Sequence, residues 1–214
     1  MKKGTILLCV AHSDDEVISM GGSIAKFTKE GKNVIVVIFS YGAESLPWLK
    51  ERHVIETRVK EAMNIDNFLG VKKTIFMGLS DSKMEEKMER RNTEEKLRRI
   101  IEKYKPEKIF THAVDPHTNH RMVHKTVLKV IDSIKKEIPV YTFDIWKMFD
   151  TKEQKPKIYI DITHHFKKKI KAMLMFKSQM YFSIYPLLPS VYWKAFLNGK
   201  HINVKYAEMF YKER

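Results

Sequence analysis

Apolar runs and amphipathic stretches alternate along this chain. TILLCV at 5–10 is an uninterrupted apolar run that reads as a buried strand; a helical pattern over 17–30 and a second apolar run over 33–39 follow it. The spacing predicts a helix over 51–68, closed by Leu69-Gly70, where glycine suits the left-handed position after a helix. A third strand is expected at 73–77. The next helix, over 93–104, halts before Pro106, and a fourth strand covers 108–112. A helix over 121–136 and strands over 140–146 and 157–162 continue the alternation. Repeated strand–helix order predicts an α/β fold, doubly wound around a largely parallel sheet, as a single domain over 1–214.

Three segments break the rhythm. SDSKMEEKMERR at 80–91 is mixed in charge, with only Met84 and Met88 as large apolar residues, and reads as an exposed excursion. Phe166, Ile170, Met173, Leu174 and Phe176 recur at helical spacing within 166–180 and read as core. The tail over 181–214 is rich in aromatic residues and broken by Pro186 and Pro189; it is expected to cover the domain or face another subunit.

Composition narrows the class. With 214 residues, 43% hydrophobic and 31% charged, the chain can bury one substantial core. No apolar run approaches the roughly 20 residues that a membrane span needs. The opening MKKGTILLCVAH lacks the longer apolar region and small-residue cleavage site of a signal peptide. Cys9 is the sole cysteine, which excludes an internal disulfide and suits a reducing cytoplasm. Lys and Arg number 40 against 26 Asp and Glu, a net charge of +14. These basic residues are spread along the chain, so they read as a solvated lysine-rich surface, and nucleic acid is not the expected partner.

The chemistry concentrates in two places. AHSDDE at 11–16 follows the first strand, and THAVDPHTNHRMVH at 111–124 spans the end of the fourth. In a doubly wound order such as 3-2-1-4-5, strands 1 and 4 adjoin at the switch point, where ligands gather beyond the carboxyl ends of the strands. The two clusters are therefore expected to face one crevice. His12 and Asp15 could supply two metal ligands from one turn, and a histidine from 117–124 a third. A bound cation would offset the repulsion between adjacent acids, leaving one carboxylate to ligate and the other to accept a proton. The competing reading is a helix N-terminus whose acids complement the macrodipole.

AHSDDE resembles the AHPDDE signature of the PIG-L/LmbE-type N-acetylglucosamine deacetylase family, and DPHTNHRMVH resembles its HPDHRxVH signature. TRVKEAMNIDNFLGV (57–71), GLSD (78–81), DITHHFKKKIKAMLMFKSQ (161–179) and YAEMF (206–210) are similar to further family segments, in the expected order. The resemblance implies a Rossmann-like fold and a Zn²⁺-dependent hydrolase that removes the N-acetyl group from an N-acetylglucosamine-type sugar or glycoconjugate; another divalent metal is an option. By position it implies His12, Asp15 and His120 as metal ligands and Asp14 as general base. His117 would stabilise the oxyanion and protonate the amine, while Arg58 and Asp81 would contact the sugar.

Two departures stand out: Ser13 replaces the usual proline, and Asn119 stands where the family usually has an aspartate that orients and charges the catalytic histidine. An amide at Asn119 can hydrogen-bond His117 but adds no charge to stabilise an imidazolium, which predicts a weaker acid–base partner. The alternatives are a different amide or ester hydrolase on the same metal site, or a catalytically weakened binding protein with a basic surface. Often multimeric relatives and the aromatic tail imply a homo-oligomer. His112 and His124 are expected to support or pack, and Glu16 to orient the loop or cap the next helix.

Overall fold

The computed structural model describes residues 4–45, 48–82, 84–134, 136–146 and 155–214. At its centre, β1 (Thr5–Val10) pairs in parallel with β2 (Asn33–Ser40) on one side and β4 (Lys108–His112) on the other. β3 (Lys73–Leu79) adds to β2 and β5 (Val140–Phe143) to β4, both in parallel. Beyond β5, β7 (Ala207–Lys212) runs antiparallel and carries β6 (Lys157–Asp161) on its outer side. The resulting order is β3-β2-β1-β4-β5-β7-β6. The expected α/β architecture is observed, with the order of strand addition reversing between β1 and β4.

Alternation along the central strands sorts the core onto two faces, because successive side chains of a strand point to opposite sides. Ile6, Leu8, Val10, Val34, Val36 and Ile38 pack beneath α1 (Asp15–Lys29), α2 (Glu51–Leu69), α6 (Phe166–Met173) and α7 (Tyr185–His201). Leu7, Cys9, Ile35 and Val37 face α3 (Met84–Arg90), α4 (Thr93–Tyr104) and α5 (Thr118–Ser133). Each fully buried aliphatic side chain contributes about 1.5–3 kcal/mol. Strands covered on both faces need continuous apolar runs, and TILLCV is one. Burial also pushes the Cys9 thiol up, so it packs as a small apolar side chain. Gly70 closes α2 at φ 90°, in the left-handed region, as its place in the sequence predicts.

Five expectations change. Residues 80–91 are not simply an exposed excursion: α3 lies within them, and Met84 and Met88 are buried in the second core cluster. Two methionines four apart suffice to seat so short a helix. The strand expected over 140–146 ends at Phe143, and the helix expected over 121–136 begins earlier, at Thr118, and ends at Ser133. The prolines of the tail do not prevent a helix. A π-helical turn, Met180–Ile184, leads into α7; Pro186 falls in the first turn, where backbone donors have no helical partner, while Pro189 forgoes one bond. Finally, the tail supplies a strand that the sequence pattern did not announce. Glu208 sits inside β7, where the Gly22 and Ser23 amides donate to its carboxylate at 3.1 and 2.7 Å and Lys169 Nζ at 2.6 Å.

Candidate active site

The loops after β1 and β4 meet beyond the sheet, at the switch point. A pocket there is lined by His12, Asp14, Asp15, Arg58, Asp81, His117, Asn119 and His120, so all eight site residues expected from the sequence converge. Glu44, Trp146, Gln179, Phe182 and Ser183 complete much of the wall.

Asp15 opens α1, and the His12 amide donates to its Oδ2 at 2.8 Å, which curls the loop back on the helix start. His120 lies in the first turn of α5. Its Nδ1 is 2.7 Å from Asp115 Oδ2, so its Nε2 is turned inward, 3.5 Å from Asp15 Oδ1. Asp115 also accepts from the His117 amide at 2.8 Å and, through its carbonyl, from Arg121. Burial works against a charge on His120, but Asp15 and Asp115 outweigh it and raise the imidazole to about 10. Burial likewise pushes the Asp15 carboxyl up, yet His120 and His112 hold it well below the usual carboxylate range. In the metal-free protein, a proton on His120 thus supplies the positive charge that two buried carboxylates demand.

Among the described residues, two overlapping sets of side chains bring ligand atoms within 4.8 Å of one another: His12, His117 and His120, and Asp15, His112 and His120. Hydrogen bonds distinguish their members. His117 caps α5, and its Nδ1 accepts the Asn119 amide at 3.2 Å, so the neutral ring carries its proton on Nε2. Lost solvation and the neighbouring His120 and His12 rings push its pKa down. His112 Nε2 accepts the Ala11 amide at 3.0 Å; burial, then His120, lower this ring to about 4. The lone pairs on those two rings are engaged. His12 and His120 flank Asp15, with His12 Nδ1 3.4 Å from its Oδ2 and His120 Nε2 3.5 Å from its Oδ1, and two imidazoles with a carboxylate form a donor set suited to a divalent metal.

Asp14 is held on both oxygens. Arg58 Nη2 lies 3.4 Å from Oδ1, and Ser183 Oγ donates to Oδ2 at 2.7 Å. Arg58 also reaches Ser13 Oγ and the Gly42 carbonyl, each at 3.4 Å. Gly42 has φ 65°, and a Cβ there would stand 2.5 Å from the guanidinium carbon, so this turn has no room for a side chain. Asp81 accepts from Ser40 Oγ at 2.5 Å and from the Gly42 and Glu44 amides at 3.2 and 3.0 Å; its Oδ1 lies 3.6 Å from His12 Nε2. It therefore ties the loop after β2 to the site. The side chain of Asn119 meets His12 rather than His117, with Nδ2 3.3 Å from His12 Nε2; only its backbone supports His117. Glu16 caps nothing: it is fully buried, and its raised pKa comes from burial first and Asp66 next.

The family model for PIG-L, described as GlcNAc-PI de-N-acetylase, matches residues 7–131, more than half of the chain. The chain belongs to the PIG-L family. Membership places it among the deacetylase-type hydrolases, and three solved structures show how widely its fold is shared. An N,N'-diacetylchitobiose deacetylase from Pyrococcus horikoshii is 24% identical, with a TM-score of 0.80 over 99% of this chain and 84% of that one. A 4-carboxy-2-hydroxymuconate hydratase from Pseudomonas putida is 21% identical, with a TM-score of 0.82 over 99% and 96%. The zinc-inhibited form of a teicoplanin deacetylase is 18% identical, with a TM-score of 0.76 over 97% of each chain. Deacetylases and a hydratase on one scaffold mean that the fold alone does not choose the reaction; site chemistry does.

The PIG-L signatures also contain residues that pattern reading passed over. Asp115 lies in the second signature, five residues before His120, close enough for a loop carboxylate to reach back to the ring. His112, expected to support or pack, stacks on His120 with ring centroids 3.9 Å apart. Gln179 closes the family-like segment 161–179, whereas Phe182 and Ser183 carry no such signal, since they arrive from the far end of the chain. Among the described residues, no helix is long and apolar enough to cross a membrane.

Proposed function

We propose that this PIG-L protein removes the acetyl group from an N-acetylglucosamine-type sugar, with Zn²⁺ or a related divalent ion held by His12, Asp15 and His120. The observation that carries the reading is the pairing of His120 Nδ1 with Asp115, which turns the other nitrogen toward Asp15 beside an Asp14 braced by Arg58 and Ser183. The bound ion supplies Lewis acidity toward the amide carbonyl and makes nearby water more acidic.

The residues supply the rest. Asp14 takes a proton from the attacking water as its oxygen bonds to the acetyl carbon. His117, kept neutral, donates its Nε2 proton as a hydrogen bond to the carbonyl oxygen as negative charge develops there. With Nδ1 accepting the Asn119 amide, His117 carries only its Nε2 proton, which stays on the carbonyl oxygen, so another group supplies the proton that the departing nitrogen needs. That proton passes on from Asp14 as the C–N bond breaks, leaving acetate and the free amine. Arg58 keeps Asp14 oriented, and Asp81 keeps the wall of the sugar pocket in place through the loop after β2.

The test is acetate release from N-acetylglucosamine and its glycosides by protein loaded with stoichiometric Zn²⁺, together with metal analysis. His12→Ala is expected to lose the metal, whereas Asp14→Ala keeps it and loses turnover. A protein that takes up no divalent ion, or that turns over without Asp14, overturns the assignment.

A further inference from the structure

Resting on the deacetylase reading, we propose that Trp48, Phe182 and Trp146 form a stacking subsite at the mouth of this pocket for a second pyranose ring, so that the substrate is a saccharide of at least two units.

The three aromatics come from separate parts of the chain. Trp48 precedes α2, Trp146 follows β5, and Phe182 lies in the π-helical turn Met180–Ile184. They remain 65%, 46% and 51% exposed, although a folded chain gains by burying rings of this size. Phe182 and Trp146 line the same pocket as Asp14 and His120. The rings of Trp48 and Phe182 lie 5.6 Å apart at 47°, which joins Trp48 to that wall through Phe182. The next residue, Ser183, donates to Asp14, so the turn carrying Phe182 is anchored directly to the reacting end of the site. Clustered exposed aromatics at a polar pocket mark a binding surface, whereas scattered ones need no explanation.

Charge selects the occupant. The metal ion and the Arg58–Asp14 pair balance the carboxylates at the reacting end, and the polar lining left beside the aromatics, Glu44, Gln179 and Ser183, offers an anion no cation. A neutral sugar suits it: the C–H faces of a pyranose pack on aromatic rings, and its hydroxyls donate to rim carboxylates such as the exposed Glu44.

Zn²⁺-loaded protein is assayed on N-acetylglucosamine and N,N'-diacetylchitobiose, and its tryptophan fluorescence is titrated with cellobiose, which has no acetyl group. The disaccharide is expected to exceed the monosaccharide in kcat/KM by about three- to tenfold, the size of effect that ring stacking gives. Phe182→Ala and Trp48→Ala are expected to collapse that ratio, mainly through KM, and to weaken cellobiose binding by a similar factor. An unchanged ratio in both variants overturns the subsite. So does a higher kcat/KM for the p-nitrophenyl glycoside of N-acetylglucosamine than for the disaccharide, or a change in oligomeric mass in Trp48→Ala, which would make the patch a subunit contact. If neither sugar is deacetylated, the proposed reaction fails, and saturable cellobiose binding lost in Phe182→Ala decides the subsite on its own.

Discussion

Replacing Asp115 by Asn keeps the shape of a buried side chain and removes only its charge and symmetry. The carboxylate now serves two donors, His120 Nδ1 at 2.7 Å and the His117 amide at 2.8 Å. An amide has one oxygen for these two demands. If the oxygen stays with the His117 amide, the NH₂ group faces His120 Nδ1, and the ring must move its proton to Nε2, the nitrogen proposed to meet the metal. If the amide flips, His120 keeps its tautomer, but an N–H then opposes the His117 N–H, and a bond to a charged acceptor is lost at about 1.5–3 kcal/mol. Either route lands in the range found for partners of metal-binding histidines, about 10–100-fold in affinity, or roughly 1.4–2.7 kcal/mol. Competition titration with a chromophoric chelator measures the change, and urea unfolding of the metal-free proteins separates it from a loss of stability. Histidine NMR adds a second readout, because the His120 pKa, held up at about 10, is expected to fall when the Asp115 charge is removed. Affinity within threefold of the original, with His120 titrating unchanged, refutes the reasoning.

Three further outcomes follow from other parts of the molecule. Asp66, buried on α2 with Thr74 Oγ1 2.5 Å away, has a pKa raised by burial to about 7. Because the folded form holds a proton that the unfolded form has released, stability is greatest below about pH 4 for this group and falls as pH rises toward 7, by a few kcal/mol at most. Asp66→Asn is expected to flatten that slope between pH 4.5 and 7.5 in urea titrations, and an unaltered slope refutes the assignment. Gly42→Ala combines a strained φ with a clash against Arg58 and should cost about 1–3 kcal/mol in thermal unfolding while lowering turnover; full stability and activity would show that the turn readily gives way. Glu208→Ala leaves Lys169 buried without its partner at 2.6 Å and should destabilise by about 3–5 kcal/mol, which denaturant midpoints measure.

Chain pattern alone was enough for the sheet from β3 to β5, because each of those strands is a local apolar run bounded by turn residues, and a strand buried on both faces needs little else. Convergence of AHSDDE and DPHTNH could also be inferred, since a doubly wound order leaves strand ends 1 and 4 side by side. β7 escaped that kind of reading. Its Glu208 looks out of place in a strand until the Gly22 and Ser23 amides and Lys169, each distant in sequence, are brought to it. The helix α3 was hidden for a related reason: Met84 and Met88 matter only once a core face exists to receive them.

At the site, the residue types that could hold a cation were present in the sequence, and so was their adjacency in the chain. Which nitrogen of each histidine points where was not. That choice belongs to Ala11 N–H for His112, Asn119 N–H for His117 and Asp115 for His120, and a ring's tautomer is set by the bond its other nitrogen makes. Nor could the sequence place Ser183 against Asp14, a contact across 169 positions, or bring Trp48 to Phe182. Local chemistry is written in order along the chain; the partners that orient it come from wherever the packing of α7 and the sheet delivers them.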